Sequence, residues 1–266
     1  MTLLLLLLSA DAPRLLVPAY FPVPAGKASW DALIAAQGKA GIIAIVNVGE
    51  GKGKGVAGGP FIPKGWDAAV VRKHYSDVLG RAAKKGVRLV GYVSTARGTR
   101  PLADAKADLD EWKARFPGVS GVFLDEQAVG TPDKPGAAKD ALPWYKALRA
   151  HALAGFGKAA LVVSNPGNTG SRPDDLRPYA EEVAGLVVMY EGTRLADYAP
   201  PAWTAKLPRA RFAALLHTTA LPATLAADLR KKRIGVAYCT DAGKDGNPWP
   251  RLPSYWAKLP DAVRAE

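Results

Sequence analysis

Two adjacent carboxylates, Asp125 and Glu126, end the apolar run GVFLDE, and a third, Glu191, ends GLVVMYE. The end of an apolar strand is an expensive place for charge unless the charge is hydrogen-bonded or used. Carboxyl groups set across a cavity suit glycoside chemistry, in which one protonates the leaving oxygen while another acts as nucleophile or base. Crowding separates their pKa values, so that one keeps its proton near neutrality. Neighbours on a strand point to opposite faces. One of Asp125 and Glu126 therefore aims into a cavity, and the other orients it or works from the rim. The competing roles are structural: helix capping for the first two, and an ion pair with Arg194 for Glu191.

Positioning these acids requires a scaffold, and the chain carries one in its periodicity. Eight short apolar runs recur, at 15–20, 42–47, 88–93, 121–126, 160–165, 185–191, 212–218 and 234–241. They are continuously apolar and rich in β-branched residues, as strands buried on both faces of a parallel sheet must be. Helical segments separate them, at 29–40, 67–85, 102–116, 137–153, 175–184 and 220–233, with Ser29 a candidate cap for the first and Gly86 a stop for the second. The stretch after the sixth run is Pro-rich and leaves room only for a short helix. Alternating strands and helices imply crossover connections. Eight such units in 266 residues predict a single-domain α/β protein, a (β/α)8 TIM-type barrel. The open doubly wound alternative needs a glycine-rich turn after strand one, where this chain has Tyr20-Phe21-Pro22.

In such a barrel the working groups stand at the C-terminal ends of the strands. Beyond the three acids, those ends supply Tyr20, Asn47, Tyr92 followed by Ser94 and Thr95, then Asn165, His217 and Asp241. Tyr20, Asn47, Tyr92, Thr95, Asn165, His217 and Asp241 are accordingly candidate substrate contacts. Each has a plainer alternative: a turn for Asn165-Pro166-Gly167, a packed core imidazole for His217, a cap for Asp241. Trp249 lies with Trp203, Tyr255 and Trp256 in Pro-rich connections, where an aromatic face either stacks on a sugar or packs over the barrel end.

Other function classes are disfavoured. Lys plus Arg outnumber Asp plus Glu by 36 to 24, a formal charge of +12, but the basic residues are scattered and form no nucleic-acid module. Cys239 is the single cysteine, which excludes an internal disulfide and a cysteine-built metal site. Three dispersed histidines, with Tyr92 and Asn165 ending strands three and five, do not make a metallohydrolase, so neither metal nor cofactor is expected. The loop GEGKGKGVAGGP holds a literal GxGxxG at Gly53, Gly55 and Gly58, yet Gly59-Pro60 and Pro63 follow it instead of a helix. It reads better as a mobile loop over the pocket, with Lys52 and Lys54 facing an acidic ligand or solvent. Residues 1–12, MTLLLLLLSADA, read as the remnant of a secretory signal whose start lies upstream, with 13–266 as the barrel. The alternative is an N-terminal apolar segment with no targeting role. No later stretch is long enough to span a membrane.

The motifs LLVPAYF, IIAIVN, GYVSTARGTR, VSGVFLDE, VVSNPG, VVMYEG and NPWPRLPSYW, in this order, resemble the spherulin-like (spherulation-specific) family of glycoside hydrolases over nearly the whole chain. The resemblance implies a barrel that cuts an exopolysaccharide of galactosamine and N-acetylgalactosamine, with the family's acidic triad at Asp125, Glu126 and Glu191. With the leader-like segment and the scattered charge, the expectation is a secreted or cell-surface monomer acting on a polysaccharide, with no nucleic acid or membrane as partner. Two departures fall on substrate-facing loops: Asn47-Val48 where proline usually follows the asparagine, and Ala96-Arg97-Gly98 where a tyrosine is often found. A non-catalytic glycan-binding or spore- and wall-associated barrel is the alternative reading.

Overall fold

All eight apolar runs become strands, and the strands close on one another. In the computed structural model, which describes residues 14–130, 137–167, 173–244 and 246–264, the order is β1 (Arg14–Ala19), β2 (Ile42–Val46), β3 (Arg88–Ser94), β4 (Val119–Asp125), β5 (Leu161–Ser164), β6 (Leu186–Gly192), β7 (Phe212–Leu216) and β8 (Val236–Cys239). Each pairs in parallel with its sequence neighbour, and β8 returns to β1, so the sheet is a closed barrel with no free edge. The predicted (β/α)8 architecture is present. The segment 1–12, read above as a secretory remnant, lies outside the described residues.

The outer layer is α1 (Lys27–Ala36), α2 (Ala68–Lys84), α3 (Leu102–Arg115), α4 (Ala137–Phe156), α5 (Arg177–Glu182), α6 (Leu225–Lys231) and α7 (Leu259–Ala262). The Pro-rich connection after β6 holds only short 3-10 turns, at Leu195–Asp197, Ala202–Lys206 and Arg209–Arg211. Ser29 is not a cap: α1 begins two residues earlier, behind Gly26, because a turn donates the Gly26 amide to the Pro22 carbonyl and sets the first helical residues ahead of the serine. Gly86 does stop α2, at φ +85, where an L side chain would be strained. Helix-to-sheet packing is close. A Cβ at Gly91 would come within 2.6 Å of the Trp112 ring, which is fully buried and donates its indole N–H to the Tyr92 carbonyl at 2.9 Å.

Two irregularities bear on the site. Between Leu89 and Gly91 the pairing jumps from Val119 to Val122, so β4 carries one residue more than its partner. Between Val188 and Tyr190 it moves only from Ala213 to Ala214, so β6 carries the extra residue. These are bulges, and each shifts which residues of its strand face inward. They lie in the two strands that carry the acids.

The loop from Asn47 to Asp67, read above as a loop over the pocket, folds on itself and is hydrogen-bonded to the barrel. Glu50 bridges to both Ala57 and Phe61. Beneath it lies a buried ion pair, Arg100 Nη1 to Asp108 Oδ2 at 2.6 Å, with both side chains almost fully excluded from solvent. Arg100 also donates to the Ser94 and Lys52 carbonyls at 2.8 and 2.6 Å, while Asp108 Oδ1 accepts from the Lys52 amide at 2.7 Å. Burial pushes the Asp108 carboxyl upward, and Arg100 and the Lys52 amide pull it back. The pair thus ties the loop to the end of β3. Removing one partner leaves the other charged and dry, so Asp108→Ala should cost roughly 3–5 kcal/mol of stability in urea unfolding. A loss below about 1 kcal/mol, the worth of an exposed pair, would show that the pair does not hold the loop.

Candidate active site

The C-terminal mouth of the barrel holds a cavity of about 210 Å³ walled by Tyr20, Asn47, Tyr92, Asp125, Asn165, Glu191 and Trp249, with Pro18, Phe123 and Leu215 beneath and Ala57, Gly58 and Asn247 from the loops. A larger hollow of about 360 Å³ opens at the opposite end among Gln37, Arg88, Ser120 and Phe156, but no carboxylate, thiol or imidazole lines it. Paired carboxyl groups line the mouth and not that hollow.

Asn165 organises the cavity. Its Nδ2 donates to Asp125 Oδ1 at 2.7 Å and to Glu191 Oε2 at 2.9 Å. Its own Oδ1 accepts from the Gly167 amide at 3.0 Å, which fixes which end of the amide faces the acids. The backbone is held as firmly: Asn165 N donates to the Leu124 carbonyl, and the Asn165 carbonyl accepts from Gln127 N. The turn expected of Asn165-Pro166-Gly167 and the polar contact are therefore one structure.

The two acids differ in their surroundings. Asp125 accepts from Tyr92 Oη at 2.6 Å, from Asn165 and from the Glu126 amide. Burial pushes its pKa up, Tyr92, the Glu126 amide and Asn165 pull it down, and the net direction is upward. Glu191 is raised by burial and by the Asp125 charge, with Asn165 alone opposing. Three donors favour an ionised Asp125, whereas Glu191 has one and a carboxylate for company. The hydroxyls of Tyr20 and Tyr92 are pushed far up, first by burial and then by the neighbouring acids, so both remain neutral donors. Their rings meet edge to face at 5.8 Å.

Glu126 stands apart from the cavity wall. It follows the last residue of β4 at φ +54, a left-handed backbone costing about 1 kcal/mol. Its carbonyl accepts from Thr95 Oγ1 at 2.9 Å and from Arg97 N at 3.0 Å, and its exposed carboxylate accepts from Ser94 Oγ at 2.5 Å. The kink is thus held from several sides. Asp125 points into the mouth and Glu126 lies on its rim.

The remaining candidates divide. Tyr20, Asn47, Tyr92, Asn165 and Trp249 line the cavity. Thr95 does not: it is fully buried, with Oγ1 spent on the Asp125 and Glu126 carbonyls and the Tyr145 hydroxyl, so it braces the acid-bearing turn from below. Asp241 does not either: its Oδ1 accepts from Arg251 Nη1 and Ser254 N, both at 3.1 Å, which folds the closing segment onto the barrel. His217 sits behind the wall, edge-on to Trp249 at 5.8 Å and bonded to Thr218 Oγ1 at 3.0 Å, with burial lowering its pKa. Trp203 and Trp256 are buried packing residues, and Tyr255 is anchored by its hydroxyl to the Thr219 carbonyl. Sequence reasoning missed Gly58 and Asn247. Gly58 is the third glycine of the nucleotide-like motif, and its need is steric: a Cβ there would lie 2.4 Å from the Tyr92 ring, at φ +80.

A closed parallel barrel with buried, bridged carboxylates at its C-terminal mouth defines the class. The chain belongs to spherulation-specific family 4, whose sequence pattern matches residues 14–263. It is 27% identical to Spherulin-4 of Physarum polycephalum over 97% of this chain and 72% of that protein. Among solved structures it is similar to Aspergillus clavatus Sph3 in complex with GalNAc, at a TM-score of 0.67 and 20% identity over 96% of this chain and 98% of that one. It is also similar to the β-1,4-D-mannanase of Cryptopygus antarcticus, at 0.57 and 10% identity over 96% and 94%. At these identities the two structures speak to the shared barrel.

Burying the acids has a measurable cost. Both carboxyls have folded-state pKa values above the ordinary carboxylate range. Between the ordinary value and the raised one, the folded chain holds protons that the unfolded chain has released. Stability from this source is therefore complete below the unfolded pKa and is lost as pH rises through the folded one. Glu191→Gln removes the penalty, so its melting temperature should exceed the parent's at about pH 7 and match it at about pH 3. A variant less stable than the parent at pH 7 would mean that the carboxylate is favourably solvated in the mouth.

Proposed function

We propose that this protein is a glycoside hydrolase that cuts within an extracellular polysaccharide of galactosamine and N-acetylgalactosamine by a retaining mechanism. The observation that carries the reading is the single Asn165 amide shared by Asp125 and Glu191. Oxygens 2.7 and 2.9 Å from one nitrogen lie at most about 5.6 Å apart, and about 5 Å apart where the two N–H bonds diverge by their ideal angle of about 120°. Retaining enzymes space their carboxyls by about 5–5.5 Å, and inverting ones by about 6.5–9.5 Å to admit a water. Support for the sugar comes from the N-acetylgalactosamine in the complex of the similar Sph3 barrel.

The surroundings assign the roles. Asp125, ionised under its three donors, attacks the anomeric carbon as Glu191 gives its proton to the departing glycosidic oxygen. The C–O bond breaks, a glycosyl ester forms on Asp125, and the leaving chain departs as an alcohol. Glu191, now a carboxylate, takes a proton from water, which releases the sugar with its original anomeric configuration and restores both groups. Tyr20 and Tyr92 keep their hydroxyl protons throughout and are placed to donate to Asp125 or to sugar oxygens. Glu126, on the rim, meets the polymer outside the cavity.

The assignment separates two variants. On polymer, Glu191→Gln should lose about 10²–10⁴-fold in kcat, the usual worth of a general acid; on an aryl glycoside whose leaving group needs no proton it should release a fast burst of phenol, with turnover then limited by a second step that lacks its base. Asp125→Asn should be inactive on both. Rescue of Asp125→Asn instead would exchange the roles. Proton NMR of the first product should show the substrate's anomeric configuration, and inversion would reject the shared-amide geometry. Tight oligosaccharide binding without reducing ends from any galactosamine-containing polymer would favour the glycan-binding barrel.

A further inference from the structure

The chain has seven tryptophans, and their environments single one out. Trp30, Trp112, Trp203, Trp249 and Trp256 are buried, and Trp144 is partly buried with its indole N–H on the Arg100 carbonyl at 2.9 Å. Trp66 is 51% exposed, and Val70, four residues on, is 47% exposed; among the described residues they are the large apolar side chains left open to solvent. The Trp66 side chain makes no hydrogen bond, ring contact or cation contact among the described residues. A tryptophan ahead of a helix can be a hydrophobic staple, and Asp67 does cap α2 by accepting from the Ala69 and Val70 amides. A staple covers one side of the ring. Half of this side chain remains bare.

Its place in the fold links it to the mouth. Trp66 lies on the β2–α2 connection, at the end of the barrel where the acids stand, and this same connection supplies Ala57 and Gly58 to the cavity wall. Three contacts join wall to tryptophan. The Gly58 amide donates to the Gly49 carbonyl at 2.9 Å, Gly49 abuts Pro63 so tightly that a Cβ would meet its ring at 2.5 Å, and the Pro63 carbonyl accepts from Trp66 N at 3.2 Å. The Arg100–Asp108 pair holds the base of this connection, so the ring is carried on a fixed support.

We infer that Trp66 is a distal sugar-binding platform on which a polysaccharide stacks a pyranose ring after leaving the cavity over the β2–α2 connection. The cavity, at about 210 Å³, holds little more than one sugar. A chain that continues beyond it must cross one of the loops at the mouth. A flat, bare indole matches the apolar C–H face of a pyranose and asks for no particular hydroxyl pattern. The platform therefore adds affinity for chain length and leaves the choice of the bound sugar to the cavity. The inference rests on the hydrolase reading above and extends it from the reacting sugar to the rest of the chain.

The test compares Trp66→Ala and Trp66→Phe with the parent on two probes: a galactosamine–N-acetylgalactosamine polysaccharide and its trisaccharide. Trp66→Ala should raise KM on the polymer about five- to tenfold with kcat unchanged, and leave the trisaccharide within twofold. Trp66→Phe, keeping an aromatic face, should restore most of the polymer affinity. Affinity electrophoresis in polymer-containing gels, in a Glu191→Gln background, should show the same order without turnover. Equal polymer affinity in Trp66→Ala and parent overturns the platform while leaving the hydrolase intact. An equal loss on polymer and trisaccharide also overturns it, because the change then acts through the cavity. So does a dimer that dissociates on Trp66→Ala in sedimentation, which would assign the ring to a second copy of the chain. A parent that neither binds nor cuts the polymer overturns the hydrolase reading first, and the platform with it.

Discussion

Two half-buried carboxyl groups share one amide at the mouth of the barrel, and much of the molecule's design follows from that. Burial disfavours the charge on both Asp125 and Glu191; the Asp125 charge adds to the cost at Glu191, and the Glu126 charge adds to it at Asp125. Asn165 relieves part of the cost with its two N–H bonds, and Tyr92 and the Glu126 amide relieve more at Asp125 alone. The asymmetry is three donors at Asp125 against one at Glu191. A hydrogen-bonding residue without a planar NH₂ at position 165 would not hold both oxygens at a fixed spacing, so the asparagine is a spacer as much as a donor. Its orientation is in turn set by Gly167, which occupies the other end of the amide.

The scaffold is adjusted to make this arrangement possible. A regular strand alternates its faces strictly, but β4 and β6 each contain one residue too many against a neighbour. The extra residues fall upstream of Asp125 and Glu191 and fix the parity with which each acid arrives at the mouth. After Asp125 the chain takes a second liberty, the left-handed Glu126, which turns β4 sharply away and lets the Glu126 amide point back at Asp125. Thr95 secures that turn from a fully buried position. Strain of this kind persists only where its surroundings over-determine it, and here a hydroxyl and a backbone amide both converge on the Glu126 carbonyl.

What could be read from the sequence was whatever repeats along the chain. Eight continuous apolar runs separated by helical segments specify the barrel, because parallel strands buried on both faces leave that signature and little else does. The polar residue closing nearly every run also located the mouth. The individual duties of those residues were not legible, since they depend on partners far away in sequence. Thr95 and Asp241 close their runs as Asn165 does, yet one is consumed by Tyr145 and two carbonyls and the other by Arg251 and Ser254. The bulges are invisible in a single chain, because an inserted residue in an all-apolar strand leaves no mark on its pattern. The contacts of the glycine-rich loop were hidden for a related reason. Its glycines suggest mobility, but Gly58 and Gly59 have no room for a Cβ, and a buried ion pair contributed by residues 100 and 108 locks the loop from below. Trp66 escaped notice because sequence does not show that the other tryptophans are packed away.

The +12 charge bears on the substrate less directly than its size suggests. A net positive field draws polyanions and repels polycations at long range, which would oppose a heavily deacetylated, cationic galactosamine chain. At physiological salt that field decays within about 8 Å, so a polymer already at the surface responds to the charges it touches. In the cavity those groups are the acids Asp125 and Glu191, whose charged forms burial disfavours. An N-acetylated sugar meets neither the distant repulsion nor any demand for a counter-charge in the mouth. An amine there would pair with the carboxylates and lower the Glu191 pKa, which removes the very proton that the reaction requires. Within the proposed mechanism the acetylated residue is therefore the better occupant of the reacting position, and free amines belong at positions outside it.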